Sequence, residues 1–265
     1  TIKNPDQEEL AKGKLMNDKP TSRICSYDAD HIHLRGKDLV DEVIGHYDFG
    51  AAFLLQALGK DPSPKQRRAL DIALVTIMEH GLVPSAVTAR LTLHGAPESL
   101  QGAVAAGLLG VGDRYAGTAS LCAADLAIIV AAEDMTTAAD NLVANRRDNR
   151  APIPGFGHPI HTGKDPRVEK LLSFVPETSP VLTAAKVLES SLSQSLNKSL
   201  VMNVSTALAV LLVDAEIPAS MIRGVILIAR CAGLVGHLLE EHESPIGDAL
   251  WNGATHKVEQ IASSK

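Results

Sequence analysis

Between Asp148 and Arg167 the chain carries Pro152, Pro154, Gly155, Gly157, Pro159, Gly163 and Pro166. Proline lacks the amide that a helix interior needs, and glycine adds an entropic cost, so no helix crosses this stretch. It reads as a long shaped loop, and inside a compact protein such loops are more often functional than accidental. Helices are expected around it. Aromatic residues make up 3% of the chain while alanine and leucine dominate, whereas strands favour β-branched and aromatic side chains. One helix begins over 39–44, and a second runs through Phe53, Leu54, Leu55 and Leu58. After the break at Pro62 and Pro64, further helical runs cover Lys65–Glu79, Gly102–Leu109 and Ala119–Ala132. Beyond the loop come Val181–Leu196, Ser205–Asp214 and Pro218–Glu241, with Pro218 suited to a first turn. The fold class is all-α.

A chain of 265 residues with 45% apolar residues buries a large core. Its net charge of −6 argues against general nucleic-acid binding, which wants a basic face, while leaving local anion sites open. Cys25, Cys122 and Cys231 are odd in number and widely spaced, so reduced thiols are expected and no disulfide framework. The polar opening TIKNPDQEELAKGK has no apolar signal stretch. The two most apolar regions carry Asp125 in one, Arg223 and Arg230 in the other, so neither reads as a membrane span. A cytoplasmic location is the expectation.

The loop holds PGFGHPIHTGKDPR, gathering His158, His161, Lys164 and Arg167 within ten residues. Its glycines let backbone approach a ligand and leave N–H groups for anions, although a solvated basic loop has the same composition. His80 ends the run IMEH, where a histidine either serves a site or simply complements the helix dipole. Arg230 lies in GVILIARCAGLVG among apolar and small neighbours. A guanidinium there needs either a structural ion pair or a carboxylate-bearing ligand. No GxGxxG, Walker loop, HExxH or GxSxG is present, which removes most nucleotide, zinc-protease and hydrolase readings. The HxH pair of His31 and His33 has no spaced carboxylate or cysteine partners, and no metal is expected.

Taken in order, these segments resemble the citrate synthase and citryl-CoA lyase superfamily. PGFGHPIHTGKDPR is similar to its PG[FY]GH…DPR loop, NVSTALAVLLVDAEIP to its NVD segment, and Arg230 follows at the family distance. EHGLVPSAVTAR and GLLGVGDRYAGTAS resemble the lyase module of ATP citrate lyase, and DHIHLRGKDLVDEVIGHYDF resembles the family's IRGYDL region. The resemblance implies an all-α homodimer with a large helical domain (1–115 and 211–265) and a smaller mobile one (116–210). It implies that His80, Arg167 and Arg230 hold substrate carboxylates and that His158 meets the reacting oxygen. The backbone of Pro154, Gly155, Phe156 and Gly157, with Lys164, would lie against coenzyme A. The implied partners are an acyl-CoA and a di- or tricarboxylate, with no nucleic acid and no membrane.

Three departures shape the functional expectation. Tyr115 stands where synthases place an enol-stabilising histidine, as an aromatic does in the lyase module, and Ser244 replaces a basic residue before Pro245. Ser205 occupies the position of the family's catalytic aspartate, and a hydroxyl does not deprotonate an acyl-CoA methyl at neutral pH. The expected activity is cleavage of a citryl-CoA-type thioester into an acyl-CoA and an oxaloacetate-like 2-oxo acid. The alternatives are the reverse condensation, and a catalytically silent acyl-CoA or dicarboxylate binder in which Ser205 marks the lost aspartate.

Overall fold

The computed structural model describes residues 20–113, 117–157, 165–197 and 200–258. The chain divides into two compact units, Thr1–Pro62 and Ser63–Lys265. The first unit departs from the all-helical expectation locally. It holds a three-stranded antiparallel sheet of β1 (Cys25–Tyr27), β2 (Ile32–Leu34) and β3 (Lys37–Asp38). Cys25 stands opposite Leu34, and Leu34 opposite Lys37. The connection from β2 to β3 is Arg35-Gly36, both with positive φ (52° and 86°), the backbone of a type I′ hairpin turn. The expected helix at 39–44 is a single π-wound turn, α1 (Leu39–Val43), capped by Asp38, whose side chain accepts from the Val40 and Asp41 amides. Helix α2 (Phe49–Leu58) starts at an Asp48 cap, buries Ala51, Leu54 and Leu55, and stops at Gly59 with φ 73°. His33 lies in β2 and His31 pairs weakly with Asp28 at 3.4 Å. Among the described residues no cluster of three or more His, Cys, Asp or Glu is placed to hold a metal ion.

The second unit is helical. Helix α3 (Pro64–Ile77) opens on a capping box between Ser63 and Gln66 and buries Ala69, Leu70, Ala73 and Ile77, one face at helical spacing. Lys65 Nζ reaches Asp214 Oδ2 at 2.9 Å. Helices α4 (Pro84–Gly95) and α5 (Leu100–Leu109) pack on α11 (Ala219–Glu243) through Ala86, Ala89, Leu93, Ala103, Leu234 and Leu238. Gly107 permits that approach, because a Cβ there would stand 2.8 Å from Leu234 and 3.0 Å from Ala89. Helices α6 (Thr118–Val130), α8 (Pro166–Leu172) and α9 (Pro180–Leu196) surround α10 (Val204–Asp214) together with α3 and α11, and α7 (Met135–Asp148) packs outside them on α9 and α6. Every residue of α10 from Val204 to Leu212 is buried, as a helix apolar all round requires. Helix α12 (Gly247–Lys257) closes the described chain.

Helix α11 has the length of a membrane span (25 residues) and contains an 18-residue window of mean hydropathy 1.7. It nevertheless carries Arg223 and Arg230, and buries Ile222, Val225, Ile226, Ala229, Leu234 and Leu238 against neighbouring helices. Pro218 is its N-cap, one residue ahead of the first turn. The Gly/Pro-rich segment contains no helix between Asp148 and Pro166 among the described residues. Phe156 forms an isolated antiparallel bridge with Met202, and Gly157 N–H donates to Val201 O at 2.9 Å. The buried Asp125 pairs with both its oxygens to Arg146, which also donates to Pro152 O at 3.2 Å and anchors the segment's start.

Candidate active site

Four segments far apart in sequence end on one cavity of about 240 Å³, bringing together His80, Arg167, Ser205, Arg230 and Gly157. His80 follows α3, Arg167 stands in the first turn of α8, Ser205 in the first turn of α10, and Arg230 midway along α11. His158, His161, Lys164 and Tyr115 lie outside the described residues.

Arg230 is 9% exposed, and no carboxylate pairs with it among the described residues. Burial lowers its proton affinity; the nearby Glu79 charge opposes this, and Arg167 adds to it. A guanidinium nonetheless stays charged, so the cavity presents a desolvated cation that no carboxylate pairs with directly among the described residues. Arg167 is differently placed: its Nε and Nη2 donate to the two oxygens of Asp165 at 3.0 and 2.8 Å, leaving Nη1 outside that pair. Asp165 also caps α8 by accepting from the Arg167 amide.

The helix ends reinforce the positive character. First-turn residues of α4 (Pro84, Ser85), α6 (Thr118, Ala119) and α10 (Val204, Ser205) line the cavity. Helices α4 and α6 have no side-chain cap, so their first amides, which have no intrahelical acceptor, favour an anion. The opposite character comes from Ile77, Val83, Val111, Leu208 and Ile226, which form an apolar wall.

At position 205 the hydroxyl lies 2.6 Å from Thr118 Oγ1. The α10 terminus does not depend on that hydroxyl. Asn203 is the cap, accepting from the Ser205 amide at 2.9 Å and donating from Nδ2 to Gly157 O at 2.8 Å. Pro154 and Gly155 are buried behind the cavity, while Gly157 lines it. Gly155 has φ 91°, and its carbonyl accepts from Thr206 Oγ1 at 2.5 Å. Burial pushes the neighbouring Cys122 thiol up to about 12, so it is a packing group, not a nucleophile. His80 is exposed; its amide donates to Glu79 Oε1 at 2.8 Å.

Thr118, Asn203, Ser85 and Glu79 were not singled out from the sequence. Asn203 carried a usable signal, since an Asn before an apolar helical run is a cap candidate. Thr118 carried none, because its partner lies 87 residues away.

A family model described as citrate synthase, C-terminal domain, matches residues 4–248. The chain is 24% identical over 247 residues to a probable ATP-citrate synthase of Caenorhabditis elegans, covering 84% of this chain and 22% of that protein. It is 26% identical over 246 residues to a citrate synthase of Haloferax volcanii, covering 88% and 61%. The chain therefore spans only part of the length of these curated relatives. Among solved structures it superposes on citryl-CoA lyase from Hydrogenobacter thermophilus with a TM-score of 0.80 and 26% identity, over 92% of this chain and 95% of that one. ATP citrate lyase from Methanothrix soehngenii, in complex with citrate and coenzyme A, matches all of this chain and 45% of its own with a TM-score of 0.75. At 22% identity that likeness shows the fold alone.

Proposed function

Given that the chain belongs to the citrate synthase family, we propose that it is a citryl-CoA lyase-like protein, cleaving a citryl-CoA-type thioester into an acyl-CoA and an oxaloacetate-like 2-oxo acid. The observation that carries the reading is Arg230, buried and without a carboxylate partner among the described residues, in one cavity with His80, Arg167 and Ser205. A desolvated guanidinium beside uncapped helix N-termini suits a carboxylate-rich ligand. The likeness over nearly full length to a stand-alone citryl-CoA lyase favours cleavage among the family's reactions.

Cleavage removes the proton of the tertiary hydroxyl, breaks the carbon–carbon bond, leaves its electron pair as a thioester enolate, and then protonates that carbon. In this reading Arg230, His80 and the Nη1 side of Arg167, outside its pair with Asp165, fix the carboxylates, supplying orientation. His158 meets the oxygen whose charge changes, as the family resemblance implies. Gly157 lines the cavity at the end of the Pro154, Gly155, Phe156 stretch that, with Lys164, the family resemblance sets against coenzyme A, the buried Pro154 and Gly155 standing as its support. The Ser205–Thr118 hydroxyl pair occupies the place where the family's carboxylate exchanges the carbon-bound proton. The homodimer, the domain division (1–115 with 211–265, against 116–210) and a cytoplasmic location belong to the same proposal.

Incubation with (3S)-citryl-CoA and mass spectrometry of the products tests it. Acetyl-CoA and oxaloacetate should appear in equal amounts and fall sharply with Arg230→Gln. Ser205 itself favours a second reading, a non-catalytic binder of acyl-CoA or dicarboxylate. Calorimetric binding of citrate and coenzyme A without any product would establish that one instead.

A further inference from the structure

We infer that His237 is a positioning residue that sets where His80 meets the cavity, acting through Glu79; the inference rests on the place of His80 in the proposed site. Arg90 is 1% exposed. Its Nε donates to His237 Nδ1 at 3.1 Å, and its Nη2 lies 2.9 Å from the same nitrogen. A guanidinium has donors only, so Nδ1 must present its lone pair. The ring proton is therefore on Nε2, which donates to Glu79 Oε1 at 3.0 Å.

Glu79 Oε1 in turn accepts the amides of His80 (2.8 Å) and Gly81 (2.5 Å). One carboxylate oxygen thereby shapes the turn that leads out of α3. Burial disfavours its charge, but the His80 amide, the His237 ring and the Gly81 amide outweigh that and hold its carboxyl below the usual range. The same turn is seated on α11 at Gly233, where a Cβ would fall 2.1 Å from Met78 O. Arg90 is itself fixed by Glu240 and by Glu241, whose Oε2 accepts from Nη1 at 2.6 Å. The groups facing His237 are thus Arg90 from α4 and Glu79 from the α3 turn, with Glu240 and Glu241 of its own helix behind Arg90.

Long-range 1H–15N spectra of the histidine rings test the assignment in the unmodified protein and in His237→Gln, His237→Leu and Glu79→Ala. The expected result is a His237 ring with its proton on Nε2, with the His80 resonances moved by His237→Leu and by Glu79→Ala. His237→Gln should leave His80 near its original resonance, because an amide offers Arg90 an acceptor and Glu79 a donor. Citrate affinity should fall about tenfold in His237→Leu and recover in His237→Gln. If His237→Leu does not fold, Glu79→Ala decides by the same resonances, since the Glu79 side chain is 45% exposed and its loss leaves the buried Arg90 pair intact. A proton on Nδ1, or a His80 signal indifferent to both variants, overturns the inference. Failure of the unmodified protein to bind citrate would instead sink the functional reading, and the ring resonances would still decide this one.

Discussion

Replacing Arg230 by methionine should stabilise the ligand-free protein and remove its response to citrate. Methionine keeps the unbranched length of the side chain and fills the α11 face beside Ile226 without a charge. Arg230 is 9% exposed and no carboxylate pairs with it among the described residues; the Glu79 charge offsets its desolvation only in part, and Arg167 adds repulsion. Removing such a charge into a well-packed apolar group gains roughly 1–2 kcal/mol, the lower part of the range for buried ionic groups. For a chain of this size that is about 2–4 °C of melting temperature per kcal/mol. Citrate at a hundred times its Kd should then stabilise the unmodified protein by about 2.7 kcal/mol and the variant hardly at all, reversing their order. Urea titrations of helix signal with and without citrate give both differences. A ligand-free variant less stable by more than about 1 kcal/mol would mean that Arg230 has a structural partner, and equal citrate stabilisation of both proteins would place the anion elsewhere.

Gly155→Ala should cost about 2–4 kcal/mol, seen as early thermal unfolding, because φ is 91° and the new Cβ would lie 2.3 Å from Thr206 Oγ1 and 2.9 Å from Cys122 Sγ. Ser205→Asp should raise acetyl-CoA release from citryl-CoA about tenfold or create it, since a carboxylate exchanges protons far better than a hydroxyl; Thr118 Oγ1, 2.6 Å from the present hydroxyl, is ready to donate to it. A folded Ser205→Asp variant that binds coenzyme A but shows no gain would count against the lyase assignment. Burial raises the pKa of Glu241, but its bond to Arg90 and the Gly247 and Ile246 amides outweigh this and hold it below the usual range. Its stabilising contribution is therefore complete above the unfolded carboxylate value and is lost as pH falls through the depressed folded one. Glu241→Gln should be less stable than the parent at pH 7, and the gap should close in acid denaturation.

The helices legible in the sequence were those with a strong apolar signal. α10 and α11 were read within a residue or two of their observed ends, because continuous burial leaves an unmistakable apolar run. Helix α7 was not read: MTTAADNLVANRRD buries only Ala139 and Val143, and two apolar contacts set no period. Helix α12 was missed for the same reason, with Gly247 alone buried. The small sheet escaped because its strands span two or three residues, and the Arg35-Gly36 turn lacks the usual Asn or Asp. In the site, the long-range company of His80, Arg167, Ser205 and Arg230 was legible only through the family resemblance; spacing alone places residues on helices, not helices on each other. The Arg90–His237–Glu79 chain was invisible, since its links join residues 147 and 158 positions apart.

The cap of α10 has a consequence for how such a protein drifts. Asn203 accepts the Ser205 amide in the first turn of the helix and ties that end to Gly157, so the side chain at 205 has no share in starting the helix. Among the described residues its hydroxyl has one hydrogen-bond partner, Thr118, and the next seven residues of α10 are all buried. Scaffold and chemistry are thereby uncoupled at this one position. Exchange of serine for aspartate there would change the chemistry the cavity can perform while leaving in place the cap that starts the helix.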